Sequence, residues 1–340
     1  MPLLDNLELF CENKVVFKCY FLPVGVLLAL ALGLFDQGSA GSLLQFEYSG
    51  LTPKTVAILV IFLCTGYLLD LREVKFTRKL LLALGGTVLL NLGVGPLIGW
   101  LILTLGNFPP AVVVGIAVFA SVPTTLSSAI VITRVAGGNV LWAITMTATL
   151  NIVGLLVMPL TIGFLLSHES DFDFDRLAMF LQICLLVIVP LLVGMGIHRL
   201  LKGRQQEFLT YVPPFCIIAI VWMSVSAENE KVWTLSLVTV LTLLLVSCLL
   251  HFGLLASATL FGWLAKFDPK QRIAFLFATS QKTLPVAISV VAILGSTTQA
   301  TAEFMALANV TCLVIYFPQI LIDSTIASII TKKMPKMSQK

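Results

Sequence analysis

Two stretches of this sequence, 158 residues apart, decide the fold: Phe119-Ala-Ser-Val-Pro-Thr-Thr-Leu-Ser-Ser-Ala-Ile-Val131 and Phe277-Ala-Thr-Ser-Gln-Lys-Thr-Leu-Pro-Val-Ala-Ile-Ser289. Aligned without a gap, they are identical at six of thirteen positions. The same offset takes Asn151 onto Asn309, and each Asn is followed by a proline eight or nine residues later. Self-similarity at a fixed offset predicts an internal repeat.

The composition places most of the chain in a membrane. Hydrophobic residues make up 58% of its 340 residues and charged residues only 11%, with a mean hydropathy of +1.02. A soluble domain carries about a quarter charged residues, and disorder needs few apolar ones. The net charge of +4 is small, and the basic residues lie between apolar runs, which favours a role in membrane orientation over nucleic-acid binding. Seven scattered cysteines without a CxxC pair and three distant histidines predict neither a disulfide framework nor a metal site.

The hydropathy pattern predicts ten membrane-spanning helices, since a span needs about 20 apolar residues. The apolar runs lie at 16–35, 55–71, 80–105, 111–132, 140–166, 177–198, 211–227, 235–262, 273–295 and 304–330. The first run could also be a signal peptide with a cleavage site at 38–40, but its length favours a spanning helix.

The distribution of Lys and Arg predicts the orientation. With the N-terminus in the cytoplasm, the inside segments hold 2+4+1+3+3+4 = 17 basic residues and the outside segments hold 3. Positive charge concentrates on the cytoplasmic side of membrane proteins. We therefore expect both termini in the cytoplasm, with a single transporter domain over 1–335 and a cytoplasmic tail over 336–340.

Ten helices divide into two halves of five, approximately 16–166 and 177–330. Because five is odd, the second half enters from the opposite side of the membrane, and the duplication is an inverted repeat. Inverted repeats are a common architecture of secondary transporters.

The polar residues within the fourth and ninth runs form the candidate site. Pro123 and Pro285 are expected to break these helices, since proline removes a backbone hydrogen bond and clashes with the preceding turn. Interrupted segments in matching positions indicate a transporter binding site. Half-helix N-termini could donate to an anion, and freed carbonyls and hydroxyls could bind a cation. The alternative is that Ser and Thr join helices and the prolines are simple kinks. The candidate substrate-binding residues are Thr124, Thr125, Ser127, Ser128, Thr279, Ser280, Gln281, Lys282 and Thr283.

Lys282 is the most specific candidate for a binding residue, because it is the only charged residue between Arg272 and Glu303. Ten residues of helix span about 15 Å, half of a roughly 30 Å core. A Lys at that depth costs about 2.5–3.5 kcal/mol on insertion scales, so it must face a cavity or a partner. A structural pair with Asp323 or Asp70 is the alternative, but Asp323 is expected nearer the cytoplasmic end, and no acid is expected at the depth of Lys282.

Three asparagines are secondary candidates. Asn91 lies in the third run, and Asn151 and Asn309 in the fifth and tenth. Each could equally be an interhelical amide with satisfied hydrogen bonds.

These segments resemble the bile acid:sodium symporter superfamily over nearly the whole chain, most closely the branch of the orphan seventh member of vertebrate solute carrier family 10. The matching pieces are 66–72, 122–139, 278–285 and 315–321, which read GYLLDLR, VPTTLSSAIVITRVAGGN, ATSQKTLP and IYFPQIL. The resemblance implies an all-α membrane protein of ten helices in a panel domain and a core domain. It also implies that helices 4 and 9 are broken and cross, with sodium and an amphipathic organic anion bound near the crossing.

The resemblance carries over to some ion ligands. Ser128 and Thr147 stand where sodium-coupled members have a ligating Ser and Thr. Gln281 matches their helix-nine Gln, and Asn91 sits where they have a Gln.

Other positions depart from the family pattern. Phe277 replaces the helix-nine Glu, Lys282 replaces the Asn after the Gln, and Ala129 replaces the Asn after the helix-four Ser. The anionic sodium ligand is absent, so sodium and a proton both stay open as the coupling ion. No other metal or cofactor is expected.

The function that these observations predict is a secondary active transporter, moving a small or amphipathic organic anion by alternating access. The expected partners are that solute and the lipid bilayer, without nucleic acid. The alternatives are an intramembrane enzyme, and a non-transporting membrane regulator or channel-like protein. HExxH and GxSxG motifs are absent from the sequence, which argues against an enzyme.

The topology can be tested by labelling single cysteines in the loops 167–176 and 198–206 with a membrane-impermeant reagent. We expect the first loop to react from outside and the second only from the cytoplasmic side, because a single helix separates them. Detergent-solubilised protein is the control, in which both positions should react. Labelling of both loops from the same side would contradict the ten-helix order.

Overall fold

The computed structural model of the chain describes residues 51–68, 77–125, 128–167, 184–201, 207–227, 236–297 and 301–333, with scattered positions between 21 and 46 and at 177, 181 and 182. Helices account for most of the described residues. The helices of the first half are α1 (Pro53–Leu68), α2 (Arg78–Leu89), a π-helical turn (Leu90–Val94), α3 (Gly95–Leu105), α4 (Pro110–Ser121), α5 (Ser128–Val135) and α6 (Val140–Leu166). Those of the second are a π-helical segment (Cys184–Ile188), α7 (Val189–Leu200), a 3-10 turn (Glu207–Thr210), α8 (Val212–Ala227), α9 (Leu237–Leu264), α10 (Pro269–Ser280), α11 (Leu284–Thr297) and α12 (Ala302–Lys333).

Among the described residues, five helical segments are long and apolar enough to cross a membrane: Arg78–Leu105, Val140–Leu166, Leu237–Leu264, Pro269–Gly295 and Phe304–Thr331. Shorter apolar helices lie at Pro53–Leu68, Pro110–Ser121, Leu185–Leu200 and Phe208–Met223. The chain is thus an all-α membrane protein. The count of ten, the inverted repeat and the panel and core division stay predictions.

The boundaries of the helices differ from the apolar runs where polar residues take part. Helix α10 begins at Pro269, four residues before the ninth run, because Asp268 and Gln271 form a capping box around a polar first turn. Helix α6 covers Val140–Leu166, as the fifth run predicts, and continues through Pro159. The fourth and ninth runs are interrupted, as their prolines predict.

The interrupted helices occupy the centre of the molecule. In α4 all eleven residues from Ala111 to Ser121 are buried, and five of them are Ala, Gly or Ser. In the most apolar 18-residue stretch of Pro269–Gly295, 83% of the residues are buried, against 33% in the corresponding stretch of Leu237–Leu264. Small residues let helices approach closely where lipid provides no hydrophobic driving force between them. The breaks are therefore enclosed by protein, where non-helical backbone can find partners.

A close crossing of α1 and α7 depends on two glycines. A Cβ atom at Gly194 would overlap the Leu63 carbonyl oxygen, and one at Gly66 would overlap the Leu191 carbonyl oxygen. Gly196, two residues further along α7, has open space around the same position. The two helices therefore approach backbone to backbone on one face of α7 alone.

We expect Gly194→Ala to lower the stability of the protein in detergent by about 1–3 kcal/mol, because the added methyl must displace a helix backbone. Gly196→Ala on the same helix is the control, and it should be neutral or gain up to about 1 kcal/mol from helix propensity. Thermal unfolding of the two variants beside wild type measures the difference. Equal melting temperatures would show that the crossing is not tightly packed.

Candidate functional site

Two breaks in the central helices meet at the candidate site. We call the non-helical residues after α4 the first break, described over Val122–Thr125, and Gln281–Thr283 between α10 and α11 the second break. The Thr283 amide donates a hydrogen bond to the Pro123 carbonyl at 3.0 Å. The two segments that the sequence singles out are therefore in direct backbone contact.

Three side-chain amides pair with the backbone of the breaks. Asn91 donates to the carbonyls of Thr279 and Gln281 at 2.8 and 2.9 Å. Asn151 donates to the Thr124 carbonyl at 3.0 Å. Backbone groups without partners are costly in a membrane, and these amides replace the hydrogen bonds that the helices lose.

The third amide, Gln319, forms a two-point contact with Lys282. Its Oε1 accepts from the Lys282 backbone N–H at 3.1 Å, and its Nε2 donates to the Lys282 carbonyl at 2.7 Å. Both residues are almost fully buried. Gln319 thus satisfies both the N–H and the C=O group of the Lys282 backbone.

The Lys282 ammonium lies between the first break and the π-helical turn Leu90–Val94. Its Nζ donates to the Asn91 carbonyl at 2.7 Å, to the Val122 carbonyl at 3.0 Å and to Asn91 Oδ1 at 3.3 Å. An ammonium has three N–H donors, so these three oxygens use all of them. The side chain is 1% exposed, which removes solvent as a partner.

The carbonyls that Lys282 contacts are free because of local backbone geometry. In the π-helical turn the Gly95 amide bonds the Leu90 carbonyl, so the Asn91 carbonyl loses its usual α-helical donor. Val122 leaves helical geometry at ψ 150°, which ends the α4 hydrogen-bond ladder. A Cβ atom on Gly95 would lie 2.8 Å from Nζ, so glycine also leaves room for the ammonium.

A second polar chain leads away from the second break. Gln281 accepts from Ser128 Oγ at 2.8 Å and donates to Asp323 Oδ2 at 2.7 Å. Asp323 Oδ1 lies 2.9 Å from His251 Nε2. Gln281 and Asp323 are fully buried and His251 is 3% exposed. This relay, Ser128–Gln281–Asp323–His251, joins α5, the second break, α12 and α9.

Asp323 lies beside the second break, where no acid was expected at the depth of Lys282. It contacts the side chain of the adjacent Gln281, and helix α12 runs uninterrupted through Pro318. The depths of Lys282 and Asp323 in the membrane stay predictions. Lys282 and Asp323 form no ion pair within 4 Å in the described structure, so a direct pair with Asp323 is wrong, and Asp70 lies outside the described residues.

Several buried hydroxyls beside the breaks have no hydrogen-bond partner among the described residues. They are Ser121 Oγ, Thr124 Oγ1 and Ser280 Oγ. All three residues are 0% exposed. Unpaired buried polar groups are uncommon and call for an explanation such as a functional role or an absent ligand.

The remaining predicted residues are placed as follows. Thr125 and Thr283 are buried at the breaks, and Thr279 Oγ1 contacts Thr87 Oγ1 at 3.2 Å. Thr147 Oγ1 donates to the Ile144 carbonyl of its own helix, so it is not joined to Ser128 by a described contact. Ser127 lies outside the described residues. The binding roles of all these residues stay predictions.

The two asparagines related by the 158-residue offset differ in their surroundings. Asn151 contacts the first break, whereas Asn309 Oδ1 is buried without a described partner. Gln319 takes the role at the second break that symmetry would have given to Asn309.

Sequence reasoning missed His251, Asp323 and Gln319 as site residues. A signal for the first two was present, because an ionisable residue within an apolar run indicates a functional site. Gln319 and Asp323 are four residues apart, which places them on one face of α12.

Removal of the Gln319 contact should destabilise the site. We expect Gln319→Leu to cost about 1–3 kcal/mol for each Lys282 backbone group left unpaired. Thr325→Val, on the exposed side of the same helix, removes only a bond to its own helix and is the control. Thermal unfolding in detergent compares the two, and equal melting temperatures would contradict the structural role of Gln319.

Comparison with known proteins identifies the family. The model of the SBF-like CPA transporter family, within the bile acid:sodium symporter family, matches residues 20–332. The probable chloroplastic sodium/metabolite cotransporter BASS4 of Oryza sativa subsp. indica is 27% identical over 329 residues, covering 91% of this chain and 74% of that protein. The BASS4 protein of Arabidopsis thaliana is 27% identical over 334 residues, covering 94% and 74%.

An animal relative matches over a similar length. Sodium/bile acid cotransporter 7 of Xenopus tropicalis is 26% identical over 328 residues, covering 92% of this chain and 91% of that protein. The matched family and these relatives are transporters and not enzymes. Because the family model covers nearly the whole sequence, including both breaks, this chain belongs to the SBF-like CPA transporter family of membrane transporters.

Proposed function

We propose that this chain is a secondary active transporter that moves a small or amphipathic organic anion by alternating access, and that its transport does not strictly require sodium. The observation that carries the proposal is the Lys282 ammonium, buried where the two breaks meet and bonded to the carbonyls of Asn91 and Val122.

The ammonium supports a reduced need for sodium. A sodium ion bound beside broken helices is held by oxygen atoms, and carbonyls freed by the breaks are such ligands. Here a covalently attached cation contacts two of these carbonyls. The relatives are named as sodium cotransporters, but Phe277 stands where sodium-coupled members have a Glu. Lys282 therefore provides positive charge that an exchangeable ion would otherwise bring.

The charge and the donors near the breaks favour an anion as the solute. The ammonium is buried with its charge not neutralised by a carboxylate within 4 Å in the described structure. The unpartnered hydroxyls of Ser121, Thr124 and Ser280 can donate to an anionic group. The helix N-termini that follow the breaks add the positive ends of two helix dipoles. An organic anion would pair with the hydroxyls and offset the ammonium.

A ligand screen tests the substrate class. Purified protein is heated with carboxylates, sulfonates and conjugated steroids, beside amine and neutral analogues of matched size. A ligand at about 100 times its Kd stabilises the folded state by about 2.7 kcal/mol, which raises the melting temperature. Stabilisation by anions alone, followed by counterflow of the same anions in liposomes, is the expected result. Stabilisation by amines instead would overturn the anion proposal.

Lys282→Met tests the ion dependence. We expect wild type to take up the selected anion without sodium, and Lys282→Met to lose uptake or to become dependent on sodium, because the variant lacks the buried charge. Uptake is measured in sodium gradients and pH gradients. If wild-type uptake needs sodium, and Lys282→Met leaves uptake and its ion dependence unchanged, then Lys282 is structural and the proposal fails.

A further inference from the structure

We infer that the His251–Asp323 pair binds the coupling proton of this transporter, and that the proton and a monoanionic solute bind together. The inference rests on the proposed transport function and adds the identity of the coupling ion and the residues that hold it.

The pair has the geometry of a proton-binding site inside the membrane. His251 Nε2 on α9 and Asp323 Oδ1 on α12 are 2.9 Å apart, and both side chains are buried. Ionisable residues in spanning helices are costly, and chains of Asp, Glu and His mark proton relays in pumps and transporters. Histidine exchanges its proton near neutral pH. A purely structural contact between α9 and α12 could use neutral amides at lower cost.

The second nitrogen of the imidazole provides the position for the proton. When Nε2–H donates to the Asp323 carboxylate, Nδ1 carries a free lone pair. His251 Nδ1 is buried and has no partner among the described residues. The proton adds to this lone pair and gives an imidazolium that still donates to Asp323. The step forms one N–H bond and needs no other reactant.

The charged and titratable side chains on neighbouring elements determine the electrostatic surroundings of the His251–Asp323 pair. On the elements packed against α9 and α12, the described charged side chains are Arg78, Lys79, Arg134, Asp268, Lys270 and Arg272, with Lys282 in the second break. Of these, only Lys282 is buried, and the others are exposed at the helix ends. The thiols of Cys216, Cys248 and Cys312 and the phenol of Tyr316 are the other titratable side chains described there.

The buried charges predict that proton and anion bind together. His251, Asp323 and Lys282 are all buried, and uptake of one proton raises the net charge of this group of side chains by one. An added charge enclosed by protein is costly without a counter-ion. A monoanion at the breaks would offset it. Each ligand therefore lowers the cost of the other, which is the definition of positive coupling.

Gln281 connects the pair to the breaks. Its amide contacts Asp323 on one side and Ser128, the first residue of α5, on the other. Protonation of His251 withdraws charge density from Asp323 and weakens its bond to Gln281. The second break is then the first backbone segment to respond to the proton.

Infrared difference spectroscopy on the full chain in liposomes tests the site with the proton itself as ligand. Spectra are compared between about pH 5 and about pH 8, the range in which histidine titrates. We expect an imidazole-to-imidazolium change that is lost in His251→Gln, which keeps a donor to Asp323 but cannot titrate. Asp323→Asn should remove the accompanying carboxylate shift. His198→Gln, an equally buried histidine against Tyr67, is the control and should keep both signals. Identical spectra for wild type and His251→Gln would overturn the inference.

Flux measurements separate the proton site from the proposed function. Taurocholate and pyruvate are the probes, being an amphipathic and a small monoanion. Coupling to one proton predicts about tenfold accumulation for each pH unit of gradient, and none in His251→Gln, whereas His198→Gln should accumulate the probe as wild type does. Counterflow without any response to the pH gradient in wild type would refute the proton site and leave the transport proposal intact. Absence of counterflow would count against these anions as substrates, and the infrared result would still decide the proton site.

Discussion

The need to pair backbone groups inside a membrane determines most of this site. Two central helices are broken at the same level, and each break leaves carbonyls and amides without helical partners. Lipid cannot satisfy them, so neighbouring helices provide side chains that can: Asn91, Asn151 and Gln319, together with the ammonium of Lys282. The amides act as substitutes for lost helical hydrogen bonds, and the breaks persist because these partners surround them.

A cation among those partners changes the electrostatics of the site. A carbonyl cluster attracts positive charge, and in this chain the side-chain nitrogen of Lys282 donates to its oxygens. Its placement requires two further features: the π-helical turn, which frees the Asn91 carbonyl, and Gly95, which leaves space for Nζ. The acidic side chain described beside the second break, Asp323 of α12, contacts Gln281 rather than Lys282.

The sequence predicted the class of the protein, the positions of the breaks and their proximity. Pro123 and Pro285 lie in apolar runs, and the 158-residue offset relates the segments that contain them, so local chemistry was sufficient. Partners of the breaks were harder to predict. Asn91, Asp323 and His251 lie in three different helices, and which of them reach a break depends on rotations and tilts that periodicity does not give. The contact of Asp323 with Gln281 was missed for the same reason.

The two breaks, whose sequences are related by the offset of 158 residues, differ in the side chains that contact them. Asn151 pairs with the Thr124 carbonyl, and the offset of 158 maps these two residues onto Asn309 and Lys282. The Lys282 carbonyl instead accepts from Gln319, which lies further along α12 than Asn309. Asn309 does not make this contact, and its Oδ1 has no described partner. Because Gln319 and Asp323 are four residues apart, the same face of α12 that holds the Lys282 backbone also presents a carboxylate to Gln281. The contacts that distinguish the second break therefore come from one face of α12, and the ionisable side chains described beside the breaks, Lys282 and Asp323, both lie at the second break.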